Sequence, residues 1–242
     1  ASTCFFVDRH LSSWERFLAE NKWDLQAVLQ QLVDLLISQL GEALQVHGAY
    51  LAALDPTLIA KNGQRMPGVQ RWRDHSGNAA RGPVMRGHHW AVLGLVGFNA
   101  AWGTYLCFPL LLRLISGQLN PCQFVVNPQG VAHPASFWEC VHPLLWQLHD
   151  LLDHAPLRVV ADAYFSKAPF VNPLVKAGID VISKLRHDAV GWDDPTAEQR
   201  SDAQRGKKWK LAHLLEHLPL QTLTVHLYGE QVQVHAVSRI MN

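Results

Sequence analysis

The chain has 242 residues, 48% hydrophobic and 17% charged, with a formal net charge of +1. It is long enough to bury a sizeable core and too apolar to be disordered, and its near-neutral balance gives no overall signature of a nucleic-acid binder. Cys4, Cys107, Cys122 and Cys140 form no CxxC pair, which excludes a zinc ribbon or a disulfide framework and fits reduced, cytoplasmic thiols.

Residues 11–41 read as helical. Leu25, Val28, Leu29, Leu32, Leu36 and Leu40 recur at helical spacing and predict one apolar face, with Gly41 as the stop. This part is acidic on balance: up to residue 54, Arg9, Arg16 and Lys22 face Asp8, Glu15, Glu20, Asp24, Asp34 and Glu42.

The first strand is predicted over 47–60. Its apolar run delivers Asp55, and Pro56, which cannot donate to a ladder, is expected to end regular pairing there. The following segment, 62–87, reads as a polar loop. Between residues 56 and 90 the cations Lys61, Arg65, Arg71, Arg73, Arg81 and Arg86 are set against Asp74 alone. A polyanion is expected to approach such a segment. Trp72, between Arg71 and Arg73, reads either as an aromatic that stacks on a base or as a side chain pinning the loop to the core.

Residues 90–112 carry no charge, long enough to span a bilayer, but Gly94, Gly97, Asn99, Gly103 and Pro109 interrupt them. They are read as a hairpin over 88–98 and 104–115, its strands covered on both faces. A turn-rich connector follows over 118–133. Residues 135–152 form a helix, with Pro143 marking a kink or a late start.

The second apolar run, 157–161, delivers Asp162. A short helix over 168–176 stops at Gly178, and a strand over 179–186 emerges into Lys184, Arg186, His187 and Asp188. Strand, helix, strand at this length is a parallel crossover. Residues 193–210 are charged, and 220–237 alternate as a hairpin. The fourteen histidines, His88-His89 and His142 with His149 among them, are read as polar or surface positions and not as metal ligands.

Two aspartates, Asp55 and Asp162, thus end separate buried strands. Carboxylates that converge at a sheet's rim can hold divalent cations, because hard cations prefer oxygen ligands. The chemistry expected of them is two-metal cutting of nucleic acid. Lys61, Arg65, Arg71, Arg73, Arg86, Lys184 and Arg186 are the candidate DNA contacts.

Five stretches in order resemble the catalytic domain of bacterial DDE transposases, in the branch described as DDE superfamily endonucleases. They are LDPTLIAKNGQRMPGV (54–69), RGHHWAVLGLV (86–96), FPLLLRL (108–114), RVVADAYFS (158–166) and GIDVISKLRHDAV (178–190). The resemblance implies an α/β, RNase H-like mixed sheet flanked by helices. It implies a helical segment over 1–44, the catalytic core over 45–190 and the start of a β-rich insertion over 191–242. It also implies an Asp, Asp, Glu site for two Mg²⁺ or Mn²⁺ ions, with Asp55 and Asp162 as the first two acids. One ion would activate water or a 3′-hydroxyl for attack on a phosphodiester, and the other would stabilise the leaving oxygen.

Asp55 precedes proline where the family often has a second aspartate. The glutamate, which the family places in a Tyr, Arg, Glu, Lys pattern, has no match; neither Glu216 nor Glu230 lies in that pattern. The expectation is therefore a truncated transposase, weak in metal binding and inactive alone. Its partners would be transposon-end and target DNA and, in the full-length protein, a second copy. It would lie in the bacterial cytoplasm, associated with the nucleoid, with no membrane contact. Two other readings stand beside it: a DNA-binding or regulatory protein on the same fold, and a small-molecule metal hydrolase with a closed pocket.

Overall fold

A computed structural model describes residues 16, 19–20, 22–63, 66–73, 83–115, 117, 121–185, 188–196, 206–227 and 230–237. Helix α1 (Leu25–Leu40) begins where Asp24 accepts the Ala27 N–H, 3.1 Å away. It ends at Gly41, whose φ of +50° is open to glycine at little cost. A 3₁₀ turn (Gly41–Leu44) leads into β1 (Gln45–Val46) and β2 (Ala49–Ala60). Next come β3 (Gln70–Arg73), β4 (Val84–Asn99), β5 (Thr104–Leu114), β6 (Phe124–Val126) and β7 (Ala132–Pro134). Helix α2 (Phe137–Leu151), β8 (Leu157–Ala161), α3 (Ala168–Lys176) and β9 (Asp180–Ser183) complete the central part. Beyond it lie β10 (Val190–Trp192), β11 (Lys208–Lys210), α4 (Leu214–His217) and the hairpin β12 (Gln221–Leu227) and β13 (Glu230–Ala236).

The central sheet has seven strands, in the order β3-β4-β2-β8-β9, with β1 added to β2 and β5 to β4. Strand β2 is antiparallel to β4 and parallel to β8, and β8 is parallel to β9. This is a mixed sheet with flanking helices, as an RNase H-like fold requires. The charge-free stretch lies in the β4–β5 hairpin, and no described helix is long and apolar enough to cross a membrane. At Gly94 the β4–β5 register shifts, and a Cβ there would lie 2.6 Å from the Phe108 carbonyl oxygen. Only glycine permits that approach.

Strand alternation sorts the sheet into two unlike faces. Ala52, Leu54, Ala91, Leu93, Leu95, Val159 and Ala161 are buried in one core with Leu29 and Val33 of α1 and Val141, Leu144, Leu145 and Leu148 of α2. The other face carries Leu51, Ala53, Val92, Val96 and Val160, all half-buried, with Leu112 60% exposed and Ile182 49% exposed. The expectation of strands covered on both faces is therefore corrected: the described residues bury one face. A run of apolar residues reports hydrophobicity, not which side has a partner.

Three further expectations change. Strand β2 does not end at Asp55; its ladder with β4 continues to Ala60↔Gly87. The β8 ladder stops at Leu54↔Ala161, so Pro56 lies beyond the last β8 partner, where a missing N–H costs least. Within the expected loop, 70–73 is a strand paired with β4. The apolar stripe of α1 is also rotated: Leu29 and Val33 are buried, whereas Leu25, Val28, Leu32 and Leu35 are exposed. The early helix expected over residues 11–24 falls largely outside the described residues.

Helix α2 starts on time and runs through Pro143. Its start is a capping box: the Ser136 N–H donates to Glu139 Oε2 at 2.8 Å, and the Glu139 N–H donates to Ser136 Oγ at 3.3 Å. Hydrogen bonding from the Ser136 side chain first, and from the Ser136 N–H second, holds the Glu139 carboxyl below the usual glutamate range. Because the folded value is the lower one, the stabilisation is complete above that range and is lost as pH falls through the folded value. Ser136→Ala is expected to cost about 1 kcal/mol in urea unfolding at neutral pH. The deficit should shrink as pH falls from the ordinary glutamate range through the lower folded value, below which Glu139 is protonated in both states. A deficit that does not change with pH would refute the capping box.

Candidate metal site at the sheet rim

The site follows from one register. In the parallel ladder Leu54 pairs with Ala161, and Ala161 pairs with Ser183. The next residue on each chain is Asp55, Asp162 and Lys184, so these three form one row across β2, β8 and the exit of β9. Neighbouring strands lie about 4.8 Å apart. The two carboxylate residues are therefore adjacent, with Lys184 one strand further on. Alternation puts all three on the half-buried face, away from α1 and α2.

The two aspartates are held differently. Asp55 sits within a continuous ladder, opposite Val92 of β4. Asp162 is the first residue past β8: its Oδ1 accepts the Tyr164 N–H at 2.9 Å, and its carbonyl accepts the Ser183 hydroxyl at 2.7 Å. At the far end of the strand, Arg158 reaches Asp180 at 3.3 Å and the Val46 carbonyl at 3.1 Å, tying β8 to β9 and β1.

The Asp55 carboxyl is pushed above the ordinary aspartate range, first by burial and second by the negative charge of Asp162. The pair is thus electrostatically coupled. Its donors are oxygens of like charge, which a hard divalent cation would hold together. These two residues could hold such an ion. Among the described residues no group of three His, Cys, Asp or Glu side chains comes together to hold a metal. The i, i+4 pair His213 and His217, a spacing that can mark a metal site, belongs to no such group either.

The cations divide into a near and a far set. Lys184, exposed, is the near one. Arg71 and Arg86 are cross-strand partners on β3 and β4, and Arg73 follows two residues along, all exposed. Lys61 joins them, its N–H donating to the Arg86 carbonyl at 3.1 Å. Six residues of β4 separate Arg86 from Val92, the partner of Asp55, or about 20 Å. Arg65 and Arg186 lie outside the described residues. Trp72 pins the sheet edge: its Nε1–H donates to the Gly87 carbonyl at 3.1 Å, and its ring meets His89 edge-on at 4.8 Å.

The sequence alone assigned no role to Ser183, Tyr164 or Trp138, which shape the surroundings of Asp162. Trp138 and Tyr164 stack with centroids 5.8 Å apart, and Phe137 and Phe165 pack edge-on against Tyr164. An aromatic two residues past an aspartate was the available signal.

A mixed sheet with paired acids on adjoining strands is the frame of an RNase H-like metal-dependent nuclease. A family profile described as DDE superfamily endonuclease matches residues 6–239, and the chain belongs to that family. No curated protein matches it. Among solved structures, the cryo-EM structure of a piggyBac transposase synaptic complex with hairpin DNA aligns over 74% of this chain at 16% identity, with a TM-score of 0.35. The alignment spans 31% of that transposase chain, about a third of its length.

If Asp162 contributes the smaller share of the Asp55 shift, Asp162→Asn should lower the Asp55 titration midpoint only part of the way. Carboxyl-carbon NMR in chelator-treated buffer would show it still above the ordinary aspartate value. A complete return would mean that charge, not burial, governs the site.

Proposed function

We propose that the chain supplies two acids, Asp55 and Asp162, of a metal-dependent site that cuts and joins DNA, as in a DDE transposase. The observation that carries this is the adjacent register of the two carboxylates on β2 and β8, together with the charge coupling between them. Mg²⁺ or Mn²⁺ bound there would activate the attacking water or 3′-hydroxyl and stabilise the leaving oxygen of a phosphodiester. Asp55 offers a ligand fixed by the ladder. Asp162 offers one oriented by its own turn, with Oδ1 engaged by the Tyr164 N–H.

The DNA-contact assignments divide by distance. Lys184, level with the acids, would meet the phosphates nearest the scissile bond. Arg71, Arg73, Arg86 and Lys61 would hold backbone about 20 Å along the sheet. Arg71 stands opposite Arg86 across β3 and β4, and two exposed cations side by side suit the phosphates of a polyanion. Arg65 and Arg186 are assigned to the same DNA on their place in the sequence. The domain division at 44 and 190 is retained within this proposal.

With two acids alone, metal binding is weak and strand transfer by the isolated chain is slight; a third acid would complete the site. A second reading, a DNA-binding protein without catalysis, is favoured by one observation: no third ligand stands beside the pair among the described residues. A Mn²⁺ titration of wild type and Asp55→Ala separates the two, with nicking of supercoiled DNA followed in the same samples. Asp55→Ala should weaken Mn²⁺ binding by about 100-fold or more, beyond the loss typical of an outer partner, and leave DNA binding unchanged. Nicking that depends on Asp55 would show that a third ligand lies within these residues. Salt-dependent DNA binding with no Mn²⁺ binding would leave the non-catalytic reading standing.

A further inference from the structure

The segment that leaves β2 carries a reactive pair of residues that the metal chemistry does not use. Of the chain's asparagines only Asn62 is followed by glycine, whereas Asn120, Asn127 and Asn172 precede proline. The ladder of β2 with β4 ends at Ala60↔Gly87, and the Lys61 N–H still donates to the Arg86 carbonyl at 3.1 Å. Asn62 and Gly63 come next, both exposed and in no helix or strand. Among the described residues neither the Asn62 side chain nor the Gly63 N–H makes a hydrogen bond. Other asparagines are held: Asn99 Oδ1 accepts the Trp102 N–H at 3.1 Å, and Asn127 Oδ1 accepts the Val131 N–H at 2.9 Å.

An unheld asparagine before glycine reacts with its own backbone. The Gly63 nitrogen gives its proton to solvent and attacks the carbonyl carbon of the Asn62 side chain. A carbon–nitrogen bond forms, and the side-chain nitrogen takes a proton from water and leaves as ammonia. The five-membered imide then adds water at either carbonyl. One opening gives aspartate, and the other gives isoaspartate, in which the chain runs through the side chain. Water is the sole co-reactant. Glycine favours the attack because it has no Cβ to block the approach and its backbone turns freely. Proline has no N–H to give up, which excludes Asn120, Asn127 and Asn172.

We propose that Asn62 is a site of this spontaneous conversion, and that the carboxylate it creates weakens the cationic station beside it. Asn62 is one residue, about 3.8 Å, from Lys61. Lys61 is hydrogen-bonded to Arg86, the cross-strand partner of Arg71. A negative charge placed there falls within the screening length of about 10 Å at 0.1 M salt. The effect on the station rests on the DNA-processing reading above; the conversion itself does not.

The test is peptide mapping by mass spectrometry after the full chain has aged for days at physiological pH and temperature. The peptide spanning Asn62 should gain one mass unit and split into two isomers, one of them a substrate for isoaspartyl methylation, while the peptides of Asn99 and Asn127 stay unchanged. Gly63→Ala should slow the conversion several-fold. Its new Cβ would meet only the flexible Met66 side chain, 3.0 Å from Sδ, and an unchanged circular dichroism spectrum checks the fold. A labelled DNA duplex, followed by fluorescence anisotropy in EDTA, reads the consequence. Asn62→Asp should weaken duplex binding by about 2- to 5-fold and lower the salt slope by about 0.9, the value for one phosphate contact. Asn62→Gln should bind as wild type does. An Asn62 peptide that ages no faster than that of Asn99 would overturn the modification site. Asn62→Asp that binds the duplex as wild type does would overturn the charge effect. A wild type that binds no duplex would overturn the DNA-processing reading and leave the conversion standing on its mass shift.

Discussion

The parallel pairing of β2 with β8 is the constraint on which the placement of the two acids depends. Its last rung, Leu54 with Ala161, brings two chain segments more than 100 residues apart into step. The residue after each rung member is an aspartate. Left to themselves, two carboxylates would separate in water, since each gains more from solvent than from a neighbour of like charge. Their repulsion is on the order of 1 kcal/mol for groups this exposed. The buried side of the same strands outweighs it: Ala52, Leu54, Val159 and Ala161 belong to one core, and each apolar side chain removed from water contributes a comparable or larger amount. The core therefore holds the two charges in place, and burial at the rim raises the Asp55 carboxyl further than its neighbour's charge does.

The same division of labour explains what could be read from residues alone. Asp55 and Asp162 were legible because each interrupts an apolar run with a single acid. Helix α3 was legible to the residue, since Pro169 suits a first helical turn and Gly178, at φ +77°, suits an exit. What stayed hidden was relational. Pro56 breaks a ladder only on the edge its nitrogen would have served, and no property of the residue says which edge is paired. Strand β3 is four residues long and takes its conformation from β4. Helix α1 is apolar on more than one side, so its spacing could not choose between Leu29 with Val33 and Leu25 with Val28. The partners of Asp162 were hidden for a similar reason, because Ser183 comes from another strand and Tyr164 acts through its backbone.

The polar features form two stations on one sheet. At the rim are the acids and Lys184; about 20 Å away, Arg71, Arg73 and Arg86 share an exposed edge. Strand β4 runs between the stations as one unbroken element of the sheet. Their separation is therefore set by backbone geometry and not by the reach of flexible side chains.

The unequal anchoring of the two acids has a consequence for how the protein fails. Asp55 sits where the β8 ladder ends but within the unbroken ladder with β4, so its segment of β2 opens only with the sheet. Asp162 and the two residues after it, 163 and 164, depend on a few local bonds ahead of the buried Phe165 and belong among the segments that open first. Heat or mild denaturant would therefore dismantle the carboxylate pair while the sheet is still folded. The pairing of the two acids would be lost before the secondary structure, and the second aspartate sets the temperature at which the rim, as opposed to the fold, gives way.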